Sequence, residues 1–113
     1  MDNQHRKIAG YRELSQADID MMNTIKGMGP LLEGLLMEVG RHVADQRRQI
    51  NALNRDADKA TTVEAAAPFV EAARAEQQRL DAAQPERWAA IARTHFQEGL
   101  MALTRAVAQP TFF

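Results

Sequence analysis

Residues 31–54, LLEGLLMEVGRHVADQRRQINALN, hold the pattern that decides the fold. Leu32, Leu36, Val39, Val43, Gln46, Ile50 and Leu53 recur alternately four and three residues apart. At about 3.6 residues per turn that spacing puts all seven on one helix face, in the manner of a coiled-coil seam. Gln46 is the one polar member. The seam predicts a long helix packed against other helices and carries no chemistry itself.

Working outward, Gly27, Gly29 and Pro30 precede the seam. Proline suits the first position of a helix, so a new helix is expected from Leu31 and an earlier one is expected to stop before it. That earlier helix opens at Ser15 with Asp18 three residues on, close to a capping box. Ile19, Met22, Ile25 and Met28 give it one apolar face. On the other side, Asn54 to Thr62 is polar and breaks the seam. Thr61 with Glu64 makes a second capping signature, and Ala65 to Ala83 is helix-prone, with Pro68 in its first turn or at a kink. A last helix is expected from Pro85 to Ala108, ended by Gln109-Pro110. No alternation of β type occurs. The predicted class is all-α: a short N-terminal helix plus a long antiparallel helical hairpin. It forms one domain over 1–113, with 1–29 as arm and short helix, 30–113 as hairpin, and 55–84 as an extended middle segment.

A chain of 113 residues without cysteine has no disulfide framework, thiol nucleophile or thiolate metal site. No signal peptide or membrane span is legible, which leads to the expectation of a cytoplasmic protein without a membrane partner. The net charge of -1 argues against bulk binding of DNA or RNA. Its distribution is uneven: Arg6, Lys7 and Arg12 face Asp2 alone at the start, whereas 54–84 is acidic. A small anion needs only local positive charge, and both ends of the chain offer it.

The last helix carries two stripes. Phe96, Leu100, Leu103 and Val107 form a bulky one suited to the facing long helix. Trp88, Ala92, His95, Gly99, Ala102 and Ala106 form a second, small towards its end, which admits a close helix from another subunit or a ligand. Two apolar stripes exceed what a three-helix chain can cover, so self-association is expected. His42 lies four residues after Glu38, but the further carboxylates of a helical metal site are missing. Gly27-Met28-Gly29-Pro30 is too short for a phosphate loop. No catalytic constellation and no cofactor are expected.

Two blocks, HRKIAGYRELSQADIDMMNTIKGMG (5–29) and ERWAAIARTHFQEGLMALTRAVAQPTFF (86–113), resemble the small phage proteins that antagonise CBASS immunity by sequestering cyclic oligonucleotide signals. That family is related to the hairpin domain of anti-Thoeris sponges. Its marks here are Gly10-Tyr11-Arg12, Met22-Asn23, Ile25-Lys26, Arg87-Trp88 and the run from Gly99 to Pro110. The segment between about Arg55 and Gln84 looks longer than in compact members.

The resemblance implies a hexamer in the bacterial host's cytoplasm. Cyclic dinucleotides such as cyclic GMP-AMP would sit in pockets between protomers, and cyclic trinucleotides at separate sites on three-fold axes. It implies that Tyr11 stacks on a base, that Lys26 contacts phosphate, and that Arg87 serves the trinucleotide site. Arg12, Asn23 and Arg105 complete the expected dinucleotide set. The residues alone leave other roles open: Tyr11 as a plug over the hairpin, Lys26 as a charge on a helix end, Arg105 in an inter-subunit salt bridge. Two rival functions remain beside the sponge. One is a helical adaptor that binds another protein. The other is a phosphodiesterase, for which no metal ligands or histidine pair can be assembled.

Overall fold

The computed structural model describes residues 12–112. Among these the chain forms three helices, α1 (Gln16–Lys59), α2 (Val63–Ala83) and α3 (Pro85–Ala108), and no strand. The class is all-α, laid out as a long helical hairpin. Among the described residues no helix is long and apolar enough to cross a membrane.

The start of α1 follows from its capping residues. The Asp18 N–H donates to Ser15 Oγ at 3.1 Å, and the Ser15 N–H donates to Asp18 Oδ2 at 2.9 Å. Two of the helix's unpaired donors are thereby satisfied reciprocally. Arg12 pairs with the same carboxylate at 2.9 Å. Its hydrogen bond, and then those of Ser15, hold the Asp18 carboxyl at about 2.

The expected break before Pro30 does not occur: α1 runs through it for 44 residues. Two physical reasons account for this. The usual steric objection to a helical residue before proline involves that residue's N–H and its Cβ, and Gly29 lacks the second of these. The apolar register also continues across the site, because Met22, Ile25, Gly29, Leu32 and Leu36 are all buried or half-buried, stepping by three, four, three and four. What remains is the loss of one ladder bond, since Pro30 has no N–H for the Lys26 carbonyl, and the crowding of that carbonyl by the proline ring. The short N-terminal helix and the hairpin's first arm are thus one element. At its other end α1 extends past Asn54 to Lys59, with Ala57 still half-buried.

The cap of α2 is Thr62, not Thr61: the Ala65 N–H donates to Thr62 Oγ1 at 3.0 Å. Pro68 lies inside the helix. Gln84 ends α2 in the left-handed region (φ 51), its N–H closing on the Leu80 carbonyl at 2.9 Å. Pro85 then opens α3 at the position where a missing N–H matters least.

The chain divides into two compact units. The unit Leu36–Ile91 is built on the seam. Ile50 packs with Ala73 and Leu80, and Leu53 lies against them; Leu80 is 1% exposed. Arg47 grips Glu86 with one edge of its guanidinium, Nε at 2.8 Å and Nη2 at 2.9 Å, and its Nη1 reaches Asp81 at 3.6 Å. The guanidinium holds the Glu86 carboxyl at about 2. The other unit joins residues up to Leu35 with those from Ala92 onward. Its two helical segments run antiparallel, as the pairing of Glu33 with Arg93 and of Arg12 with the Val107 carbonyl requires. Among the described residues of this unit, Ile25 is buried.

Candidate functional site

A groove of about 690 Å3 opens in the unit formed by the chain ends. On α1, Met22, Asn23, Ile25 and Lys26 line it; on α3, Leu100, Met101, Thr104 and Arg105; Ala108 and Pro110 close the end. Three- and four-residue steps bring these side chains to one face of each helix. Thr104 can lie half-buried there because its hydroxyl donates to the Leu100 carbonyl at 2.9 Å, which leaves its methyl for packing.

The groove's chemistry is lopsided. Among the described residues its lining includes two cations, Lys26 and Arg105, one amide, Asn23, and no carboxylate. Among the described residues nothing hydrogen-bonds or ion-pairs with the Lys26 ammonium. The Arg105 Nη2 donates to the carbonyl of Phe112. The rest of the lining is apolar apart from Thr104. Such a site suits an anion that also presents flat or apolar faces, and its volume is in the range of small-molecule pockets.

Of the residues singled out in the sequence, Lys26, Asn23 and Arg105 come together here. Lys26 is not in a last turn, because α1 continues for another 33 residues beyond it (59 − 26). A helix-end role therefore falls away. Arg12 does not line the groove. Its guanidinium is committed to Asp18 and to the Val107 carbonyl, at 2.9 and 2.7 Å, and ties the segment before α1 to the end of α3. Tyr11 lies outside the described residues. Arg87 belongs to the other unit, in the first turn of α3, with its guanidinium 5.4 Å from the centre of the exposed Trp88 ring. Glu86, the neighbour with which Arg87 would otherwise pair, is held by Arg47.

The groove also holds residues that the sequence reading missed. The bulky stripe of α3 was expected to include Leu103, which is 54% exposed; the covered face carries Thr104 in its place, with Phe96, Leu100 and Val107 half-buried. The four-residue spacing of Leu100, Thr104 and Ala108 is the signal, masked by giving weight to leucine over threonine. The second stripe faces outward: His95, Gly99, Ala102 and Ala106 are exposed, and a Cβ on Gly99 would meet nothing within 4 Å. Among the described residues no neighbour approaches this face closely; the approach expected there was from another subunit or a ligand. Among the described residues no three His, Cys, Asp or Glu side chains gather as a metal site.

Comparison with known proteins adds to this geometry. The family described as the Acb2/Tad1 hairpin domain matches residues 4–108. The protein named Anti-CBASS protein 2, from Pseudomonas phage JBD67, is 46% identical over 110 residues, 97% of each chain. The middle segment 55–84 therefore has a counterpart in that relative and is no insertion with respect to it. A helical hairpin whose two ends build one cationic groove, matched by family and relative over nearly its full length, makes this chain a member of the Acb2/Tad1 hairpin-domain family.

Proposed function

We propose that this protein counters CBASS immunity in a phage-infected cell by binding and holding cyclic oligonucleotide signals, without cleaving them. The observation that carries the reading is the groove with Lys26 and Arg105, apolar walls and, among the described residues, no acid. A cyclic dinucleotide offers two phosphates and two bases, so cations and apolar faces are the chemistry it needs. A ring is already preorganised and loses little freedom on binding, which favours a tight complex. Inhibition by holding requires abundance and slow release, and no reacting group. The lining residues supply binders (ammonium, guanidinium, amide) and no histidine or carboxylate for proton transfer.

Two finer readings accompany this one. Cyclic trinucleotides bind elsewhere, through Arg87, which belongs to a different compact unit from the groove. The chain self-associates, as a hexamer, through apolar side chains such as Leu31 and Met101, which are 66% and 71% exposed. The same exposed side chains favour the alternative of an adaptor that binds another protein in the host cytoplasm. A competition titration tests the proposal. Cyclic GMP-AMP and a cyclic trinucleotide are each expected to bind saturably and not to displace one another. Absence of saturable binding by both defeats the sponge reading, and mutual displacement defeats the two-site reading alone.

A further inference from the structure

The end of α3 is unusually tied. Pro110 cannot continue the ladder, and Gln109 takes the left-handed conformation (φ 55), its N–H closing on the Arg105 carbonyl at 2.8 Å. Glutamine bears a Cβ, so this conformation is strained and persists only where the surroundings hold it. Its effect is to turn the chain back along the helix. Pro110 thereby becomes part of the groove's wall, and the Phe112 carbonyl receives the Arg105 Nη2. The tail thus meets the groove twice, once as a surface and once through a cation of that groove.

A guanidinium is a planar fork with five N–H donors on two usable edges. Among the described residues the tail alone takes a donor of this guanidinium, on Nη2, which leaves Nε and Nη1 for an acidic oxygen. Resting on the reading of the groove as a cyclic-nucleotide site, we infer that residues 110–112 are a strap that fixes the Arg105 plane and retains the bound ring. Arg105 bridges the strap on one side and a phosphate on the other. Lysine would keep the charge without the bridge, because its ammonium has no fixed plane. The strap governs departure more than arrival, since affinity within one interface is tuned mainly through dissociation.

The test uses the whole chain, a chain ending at Gln109, Arg105→Lys, and the two changes combined, each with a fluorescent cyclic dinucleotide in stopped flow. Truncation is expected to speed dissociation at least about tenfold while association stays within about twofold. Arg105→Lys is expected to do the same, and truncation in that background to add little, since both changes remove one bridge. Unchanged dissociation on truncation, or fully additive effects of the two changes, overturns the strap while the full-length chain's binding leaves the groove reading intact. Failure of the full-length chain to bind overturns the groove reading, and the strap with it. Should the shortened chain lose its helical circular dichroism, hydrogen exchange on the intact protein decides. Exchange of the Gln109, Thr111 and Phe112 amides is expected to slow when the dinucleotide is added, and unchanged exchange overturns the strap.

Discussion

Lys26 and Asp18 show how one side chain's neighbours set its role. Lys26 is a cation in an apolar groove with no acid among its lining residues, so its charge is available to a ligand. A hydrogen bond to a charged group contributes about 1.5–3 kcal/mol. Lys26→Ala should therefore weaken cyclic dinucleotide binding at least about tenfold by calorimetry, with the oligomer mass unchanged. An unaltered affinity would remove Lys26 from the site. Asp18 is the opposite case, a carboxylate spent on structure. It and Glu86 are both held at about 2, below their ordinary values of 3.8 and 4.5, by Arg12 and Arg47 respectively. A folded-state value below the unfolded one means that the stabilisation is fully present above the unfolded value. It is lost as pH falls from 4.5 towards about 2. The denaturant midpoint should accordingly be level near neutrality and fall across that acid window. Asp18→Asn and Glu86→Gln together should flatten the fall, and a midpoint with an unchanged acid slope in the double variant would show that these pairs contribute nothing.

At the scale of elements, α1 teaches the most about what a sequence discloses. Its seam was legible because its members alternate four and three residues apart, and Leu32, Leu36, Val43, Gln46, Ile50 and Leu53 are indeed buried or half-buried, whereas Val39 is 42% exposed. The continuation of the helix through Pro30 was hidden, because glycine and proline are strong punctuation in a linear reading. Two facts outweighed them: Gly29 lacks the Cβ that would clash, and Met22, Ile25, Gly29 and Leu32 stay in register. The groove was half legible for a related reason. Charged and amide groups at Asn23, Lys26 and Arg105 stand out in a sequence, whereas Thr104 and Pro110 become walls only once a helix face and a reversed tail are known. The account of Gly29 makes a sign prediction. With Pro30→Ala, replacing Gly29 by Ala should stabilise the fold by about 1 kcal/mol, as alanine does in a helix interior. With Pro30 present the gain should vanish or reverse, because the new Cβ meets the ring. Equal effects in both backgrounds, measured by thermal unfolding, would contradict this explanation.

For the whole molecule, the outward side chains matter most. Met21, Leu31, Leu35, Met101 and Leu103 are all exposed. Gly99, Ala102 and Ala106 on α3 are exposed as well. Apolar surface of this extent on a small chain calls for a cover, and the proposed self-association would provide one. Light scattering at micromolar concentration should give several times the chain mass of 12.6 kDa. A monomer mass would leave the adaptor reading to explain the exposed residues. The central claim, that signals are held and not destroyed, is tested most directly by incubating the protein with a cyclic dinucleotide, removing unbound ligand, denaturing the protein and identifying what is released. The account predicts intact cyclic dinucleotide, recovered in proportion to the protein. Linear product, or no retained nucleotide at all, would contradict it.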